Sequence, residues 1–416
     1  MTEQIRIEDL TKPVLSDIQK MAMEYATQQP ISFTAESLLQ AAVEQTGLED
    51  FGADDFRARL KVWMQAINED SNLNPLGRLG VYGDCLRYAA SRLRIEHTLK
   101  QHPEIYDIEI RKPIIVAGLP RSGTTHLLNL MSADSRLHSL PYWESCAPVP
   151  EAAVGTEIEQ DPRYVRCSEG WEQMRTMMPL IAAMHPMPPE HIHEEIELQG
   201  PDFSSYLLEW IAHVPRWRDY YLQHDQTPHY HYMKKVLQII QWYRGDKRWV
   251  LKSPQHMEQL KPLMNTFPDA TVVITHRDPV SVIQSAATML TYGDRVRNKR
   301  VDAGATLDYW TQRIETILRA CVRDRDAVSP DQSIDVLFHE FMAQEVATVE
   351  QIYSKADLPM TDQARAELDA YIASNPRGKH GQVIYNLRKD FGAEPQQVRE
   401  RFGFYMERFP VRLEVD

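Results

Sequence analysis

The sequence has few cysteines and no long apolar run. Its four cysteines, Cys85, Cys146, Cys167 and Cys321, lack the paired spacing of a zinc cluster or a disulfide-rich scaffold. That pattern suits a reducing compartment and favours a cytoplasmic protein. Since no apolar stretch reaches the length of a membrane span, stable membrane insertion is not expected. The opening residues MTEQIRIEDLTKP are charged where a signal peptide needs an apolar core, which argues against export by that route.

Positive charge is also scarce. The 416 residues include 59 Asp and Glu against 46 Lys and Arg, a formal net charge of -13. Proteins that bind duplex nucleic acid usually show the opposite balance, so nucleic acid is not expected as the main partner. A charged small molecule remains compatible if basic groups are concentrated in one cleft. The length fits roughly two to three domains, or one α/β domain with insertions, and leaves homo-oligomerisation open.

The pattern of apolar residues changes near residue 110. Residues 1–110 carry apolar side chains at helical spacing and predict a helical N-terminal extension. Beyond Pro113, short apolar runs typical of buried strands alternate with helical patterns. The strand candidates are 114–117, 249–252, 270–275 and 333–338. This alternation predicts an α/β domain over residues 111–416 with a parallel sheet.

Residues at about 145–245 interrupt this alternation and predict an insertion over the sheet. Residues 145–205 are rich in Pro, Met, His and Glu, and residues 206–243 are helical and aromatic. The aromatic side chains fit either the core of a helical subdomain or a lid that lines a pocket for a bulky, partly apolar ligand. Both interpretations can hold together.

The loop after the first predicted strand has the features of an anion site. It reads Gly118-Leu-Pro-Arg-Ser-Gly-Thr-Thr125. Backbone N–H groups in such a loop and at the following helix start attract negative charge. Gly118 and Gly123 have the spacing of the GxxxxGK[ST] motif, but Thr124 stands where that motif has Lys. The polar side chains of the loop are those of Arg121, Ser122, Thr124 and Thr125. The loop therefore suits a shorter phosphate chain than a triphosphate.

This loop resembles the 5′-phosphosulfate loop of sulfotransferases that use 3′-phosphoadenosine 5′-phosphosulfate. Lys252 and Arg277 end two later strand candidates, and Ser285 follows Arg277 by eight residues, which is similar to the family's 3′-phosphate block. Residues 375–381 resemble the family's late basic loop. That loop contributes Arg377, Gly378, Lys379 and His380 as candidate donor-binding residues. The resemblance covers residues 113–410 and is strongest to the bacterial branch.

The resemblance implies a P-loop-like three-layer α/β/α fold with a central parallel sheet. It implies transfer of a sulfuryl group from 3′-phosphoadenosine 5′-phosphosulfate to a hydroxyl of a small or lipid-like alcohol or phenol, without a metal. The residues implied at the donor are Arg121, Ser122, Gly123, Thr124, Thr125, Arg277 and Ser285, together with the late basic loop.

Transfer to a hydroxyl also needs a general base and groups that stabilise developing charge. Lys252 resembles the family's lysine at the bridging oxygen. Two residues are candidates for the base: His185 in the insertion and Glu144 shortly after the phosphate-loop helix. Glu194 and Glu195 follow His185 closely and could orient an imidazole.

Three alternatives remain open at this point. A P-loop kinase or NTPase would need the missing lysine and a Mg²⁺ ligand. A non-catalytic binder of adenosine 3′,5′-bisphosphate would keep the donor site without the chemistry. A metal site is suggested only by two His-x-His pairs, His191 with His193 and His229 with His231, which is a weak signal.

Overall fold

Four helices open the chain. The computed structural model describes residues 3–152, 155–376, 378–379 and 381–416. The first elements are β1 (Gln4–Ile5), α1 (Asp17–Thr27), α2 (Ala35–Thr46), α3 (Phe56–Glu69) and α4 (Pro75–Gln101). The longest of these helices, α4, begins with Pro75. The side chain of the preceding residue, Asn74, caps the helix by accepting a hydrogen bond from the N–H of Gly77. The predicted helical N-terminal extension is confirmed.

The rest of the chain alternates between strands and helices around a long insertion. The elements up to residue 244 are β2 (Ile114–Gly118), α5 (Thr124–Ser132), β3 (Leu137–His138), β4 (Leu140–Pro141), α6 (Tyr142–Cys146), α7 (Pro162–Met177), α8 (Ile181–Met184), β5 (Ile192–His193), α9 (Leu208–Ile211), α10 (Pro215–Gln223) and α11 (Thr227–Arg244). The elements after it are β6 (Arg248–Ser253), α12 (Leu260–Thr266), β7 (Thr271–His276), α13 (Pro279–Arg297), α14 (Ala303–Asp324), β8 (Ser333–Leu337), α15 (Phe338–Phe341), α16 (Glu345–Lys355), α17 (Asp362–Ser374), β9 (Gln382–Val383), α18 (Leu387–Phe391), α19 (Pro395–Glu400) and α20 (Gly403–Arg408). None of the described helices is both long and apolar enough to cross a membrane.

Five parallel strands form the central sheet, in the order β3-β6-β2-β7-β8. Both faces of β2 are buried, because Ile115 and Ala117 join one apolar cluster and Ile114 and Val116 join another. Helices α11 to α14 pack on the first face, and α5, α16 and α17 pack on the second. The predicted three-layer α/β/α fold with a central parallel sheet is confirmed.

A third apolar cluster joins the N-terminal helices to the insertion. Phe56 and Trp63 of α3 pack with Phe203, Trp217 and Tyr221 of the insertion. Many insertion aromatics are therefore core residues. The domain boundary predicted near residue 110 stays a prediction, since the helices before it share this apolar core with the insertion.

An acidic segment, residues 194–202 (EEIELQGPD), runs through the interior beside this cluster, and its residues from Glu195 to Asp202 are all buried. Its last residue, Asp202, meets three basic side chains. Oδ1 lies 2.6 Å from Arg59 Nη2 and 2.9 Å from Arg92 Nη1, and Oδ2 lies 2.5 Å from His229 Nδ1. One carboxylate thus connects α3, α4 and α11.

Replacing Asp202 with Asn should lower the free energy of unfolding by about 3–5 kcal/mol, because two arginines would lose a buried counter-charge. Burial by itself would raise the pKa of Asp202, but the hydrogen bond from His229 and the charges of Arg59 and Arg92 outweigh it and lower that pKa. The carboxylate therefore stabilises the fold fully above its ordinary pKa of 3.8, and loses this effect as pH falls through the lowered value. Urea unfolding of both proteins at several pH values would measure the difference.

The matched control is Asp54→Asn, which removes an exposed ion pair with Arg57 on α3. It should change the free energy of unfolding by less than about 1 kcal/mol. Equal effects of the two substitutions would show that Asp202 does not connect the helices as described.

Candidate active site

The carboxyl ends of three adjacent strands bring together residues that are far apart in sequence. Strand β2 lies between β6 and β7, with Val116 opposite Lys252 and Gly118 opposite Thr275. The loop after β2, the Lys252 side chain and Arg277 after β7 consequently meet at one edge of the sheet. Ligands of open α/β sheets bind at this edge.

The loop after β2 depends on two glycines. A Cβ on Gly118 would collide with the hydroxyl of Thr275, and a Cβ on Gly123 would lie 2.8 Å from the ring of Phe338. Gly123 also has a φ of 83°, in the left-handed region. The hydroxyl of Ser122 is buried, donates to the Leu119 carbonyl at 2.6 Å and lies 3.1 Å from Thr275 Oγ1, so it holds the loop in shape. The first N–H groups of α5 have no carbonyl one turn earlier and remain available to an anion.

Arg121 connects the loop to the second predicted block. Its Nε donates to Ser285 Oγ at 3.0 Å, and its Nη1 donates to the Met184 carbonyl at 2.5 Å. Its Nη2 lies 3.4 Å from the hydroxyl of Tyr385. None of these three partners carries a negative charge, so the guanidinium keeps its charge available for an anion.

Arg277 is held by a carboxylate near the end of the sequence. Its Nε and Nη2 each donate to a different oxygen of Glu414 at 2.7 Å, and its Nη1 donates to the Arg121 carbonyl. The guanidinium lies 4.0 Å from the centre of the Phe338 ring. Planar two-point pairing of this kind is how arginine also binds phosphate. Glu414 could not be predicted from the sequence, because nothing near it resembles a motif.

Lys252 lies among carboxylates and is only 2% exposed. Its Nζ contacts Glu194 and lies 3.4 Å from Thr125 Oγ1, while its backbone N–H donates to Glu195 Oε2 at 2.8 Å. Glu195 also contacts an imidazole, but it is that of His256 and not that of His185.

The two candidates for the base lie in different surroundings. His185 follows α8 and lines the cavity described below. Burial lowers its pKa well below the ordinary range, and the neighbouring His191, Arg121 and Lys252 lower it further. The imidazole is therefore neutral at neutral pH and has a lone pair for a proton.

Glu144, on α6, is directed away from that cavity and towards Arg244. Arg244 Nη1 donates to Glu144 Oε2 at 3.0 Å, and the residue is 7% exposed. Burial raises the pKa of Glu144, and Arg244 opposes the rise. From the same helix, Tyr142 lines the cavity instead.

The late basic loop is only partly described. Arg377 and His380 lie outside the described residues. Gly378 adopts a φ of 73°, and Lys379 is exposed, with its Nζ 3.5 Å from the Asn375 side-chain oxygen. The loop leads into β9, which pairs in parallel with β1.

A cavity of about 520 Å³ opens from the edge of the sheet. Its polar end includes Arg121, Thr125, His185 and Lys252, and five methionines line its walls. The methionines are Met174, Met177, Met178, Met187 and Met289. Helix α4 contributes a further wall that the sequence analysis missed. A sequence signal for this wall does exist, because the cavity-lining residues of α4 are spaced so that they fall on one face of a helix. These residues are Gly77, Gly80, Val81, Asp84 and Tyr88.

The His-x-His pairs do not assemble a metal site. His229 pairs with Asp202, and within the described part of the chain no three His, Cys, Asp or Glu side chains come together in a way that could hold a metal ion. The loop after β2, a buried lysine and a neutral histidine instead lie around one cavity, an arrangement that is compatible with an enzyme site for an anionic substrate.

Comparison with known proteins gives the family. The model of the Sulfotransferase family matches residues 113–362. The chain therefore belongs to the sulfotransferase family, and it is an enzyme. The bacterial sulfotransferase resemblance is confirmed, and the match favours sulfuryl transfer over a kinase or NTPase reaction.

Solved structures support the same conclusion. Sulfotransferase STF1 from Mycobacterium tuberculosis is 29% identical, with a TM-score of 0.79 over 89% of this chain and 98% of its own. Sulfotransferase STF9 from Mycobacterium avium is 23% identical, with a TM-score of 0.83 over 94% of this chain and 100% of its own, which shows likeness of fold. No curated protein sequence matches significantly.

Gly118→Ala should destabilise the protein by about 1–3 kcal/mol, because the added methyl group overpacks the loop against Thr275. Thermal unfolding measures the change. Gly170→Ala on α7 is the control, since a Cβ there meets nothing within 4 Å, and it should be neutral or stabilising. A Gly118→Ala protein as stable as wild type would contradict the close approach of the loop to β7.

Proposed function

We propose that this sulfotransferase transfers a sulfuryl group from 3′-phosphoadenosine 5′-phosphosulfate to a hydroxyl of an apolar small-molecule acceptor. One observation carries the proposal: the anion loop, Lys252 and His185 all face a single cavity with apolar walls. A donor at the loop and an acceptor in the cavity would therefore meet beside Lys252 and His185, the proposed cation and base. The free thiols of all four cysteines are consistent with the proposed cytoplasmic location.

The residues at the sheet edge fit such a donor. The N-terminus of α5, Arg121, Thr124 and Thr125 would hold the 5′-phosphosulfate, with Lys252 at the bridging oxygen. The tight loop at Gly118 supports this role, because it lets the backbone curve around a bound group. The buried Ser122 hydroxyl would act by shaping the loop, and Gly123 by allowing the turn into α5.

The 3′-phosphate would be held by Arg277 and Ser285. The contact between Arg121 and Ser285 supports this assignment, because it places the two blocks next to each other. Glu414 occupies the same two-point geometry on Arg277 that a phosphate would use. The late basic loop, with Arg377, Gly378, Lys379 and His380, is part of the proposal on the family resemblance.

Sulfuryl transfer joins the acceptor oxygen to sulfur, breaks the sulfur bond to the bridging oxygen and releases the hydroxyl proton. We propose that His185, which is neutral and faces the cavity, accepts this proton as the general base. Arg121 and Lys252 contribute to its low pKa, and a bound anion would offset their charges. Its basicity would consequently rise when the donor is present. Lys252 would stabilise charge that develops on the leaving oxygen.

Adenosine 3′,5′-bisphosphate should stabilise the protein, and ATP with Mg²⁺ should do so far less. At about 100 times its dissociation constant, the bisphosphate should add about 2.7 kcal/mol to the free energy of unfolding. Thermal unfolding with each ligand measures this. A melting temperature that the bisphosphate leaves unchanged would refute the donor assignment.

The two partners of the Arg277 pair provide matched variants for that titration. Arg277→Ala should weaken bisphosphate binding on the order of 10- to 100-fold, because a charged hydrogen-bond donor is lost. Glu414→Gln should tighten binding up to about fivefold, because a competing carboxylate is removed. The control is Glu407→Gln, which removes the carboxylate of an exposed residue on α20.

His185→Ala should lower turnover by about 10²- to 10⁴-fold with little effect on bisphosphate affinity. The neutral imidazole is the active form, and burial, the largest cause of its lowered pKa, persists when the donor is bound. Wild-type turnover should therefore be constant near neutral pH and fall only as the pH decreases below the ordinary histidine range. Steady-state rates from pH 5 to 9 would test this.

Glu144→Gln separates the two candidates for the base. It should keep most of the turnover, since Glu144 pairs with Arg244 outside the cavity. A loss as large as that expected for His185→Ala, with His185→Ala still active, would make Glu144 the base and refute the assignment.

A further inference from the structure

One wall of the cavity carries polar groups that the proposed transfer does not use. His193 lines the cavity and is 7% exposed, yet neither of its ring nitrogens has a hydrogen-bond partner. Leaving a buried polar group unpaired is costly, so such groups are normally satisfied by the protein, water or a ligand.

The position of His193 is fixed by its surroundings. It lies in β5, opposite Leu140 of β4, and its ring centre is 4.8 Å from that of Tyr142. The nearest carboxylate is Glu197, whose Oε1 is 3.8 Å from His193 Nε2, too far for a hydrogen bond. The backbone of His193 is therefore held in place while its buried ring nitrogens remain unpaired, and a small turn of the ring would present one of them to a ligand in the cavity.

The charges beside His193 belong to a small cluster of two carboxylates and one guanidinium. Arg87 Nη1 lies 3.2 Å from Glu197 Oε2, and its Nη2 lies 3.4 Å from Asp84 Oδ1. Burial raises the pKa of both Asp84 and Glu197 and lowers that of His193. Both cations that act on His193, Arg87 and Lys252, already contact carboxylates, so an anion would find no unpaired cation here among the described residues. The raised pKa values of Asp84 and Glu197 favour a proton on one of them, which leaves the cluster without excess charge. These surroundings suit a neutral group that can donate and accept hydrogen bonds.

We propose that the acceptor is an elongated apolar alcohol with a second, neutral hydrogen-bonding group, which His193 binds while α4 forms the wall beside the apolar body. This rests on the proposed function, because it describes the acceptor of the same reaction. His193 is thus a specificity-determining residue, and the N-terminal helices are part of the acceptor site.

Direct binding tests the proposal independently of turnover. Calorimetric titration with α,ω-alkanediols of 6 to 12 carbons and the matching 1-alkanols compares the two chemistries. At one or more chain lengths the diol should bind about three- to tenfold more tightly than the alkanol, which is the range of one hydrogen bond. Equal affinities at every length, or no binding in any series, would overturn the proposal.

Variants of His193 assign the effect. In His193→Phe the diol and the alkanol should bind equally, and in His193→Gln part of the difference should return. His193→Phe should melt at the same temperature as wild type or higher, because it replaces an unpaired polar ring with an apolar one. A diol preference that persists in His193→Phe, or a variant that melts well below wild type, would overturn the assignment.

Helix α4 is tested with two glycines of the same helix. A Cβ meets nothing within 4 Å at either Gly80 or Gly83, but only Gly80 lines the cavity. Gly80→Leu should shift the best-bound diol to a shorter chain, and Gly83→Leu should not. An identical chain-length profile in both variants would refute the role of α4.

The bisphosphate titration separates this inference from the proposed function. Stabilisation by the bisphosphate without a diol preference would refute the inference alone. A diol preference without stabilisation by the bisphosphate would refute the donor assignment and leave only the binding role of His193 standing.

Discussion

The architecture depends on a run of carboxylates buried where the three parts of the molecule meet. Glu194 and Glu195 of the acidic segment bind Lys252 at the sheet edge, Glu197 binds Arg87 of α4, and Asp202 binds α3, α4 and α11. A buried carboxylate is tolerated only when positive charge compensates it. Each of these carboxylates therefore specifies which helix or strand lies beside it, and the pairings of Glu197 and Asp202 help to hold α4 over the cavity.

The catalytic proposal depends on a second constraint, the register of the parallel sheet. Since β2 lies between β6 and β7, the carboxyl ends of these strands are adjacent. Residues more than 120 positions apart in sequence therefore meet directly at this edge of the sheet. The rigid strands position Lys252 and Arg277. The shorter insertion elements, α8 and β5, position His185 and His193 on the acceptor side.

The parts of the fold that the sequence predicted are those with local causes. Strands β2, β6, β7 and β8 were predicted within a residue or two at each end. β2, β6 and β7 are buried along almost their whole length, and strands buried on both faces are continuous apolar runs, whereas the edge strand β8 is only partly buried. The two-residue strand β3 is too short to leave such a pattern. The same distinction holds at the site: the loop and Arg277 belong to recognisable motifs, whereas the pairing of Glu144 with Arg244 and of Arg277 with Glu414 depends on contacts over 100 or more residues that no local pattern records.

The pairing of β1 with β9 joins opposite ends of the chain through two residues on each side. A two-stranded ribbon of this length contributes little stability of its own, and it can form only after the intervening chain has folded. It should be among the last elements to assemble and the first to open in native-state hydrogen exchange. Tyr385, which contacts Arg121, lies two residues beyond β9, so one edge of the proposed anion site is attached to this short ribbon.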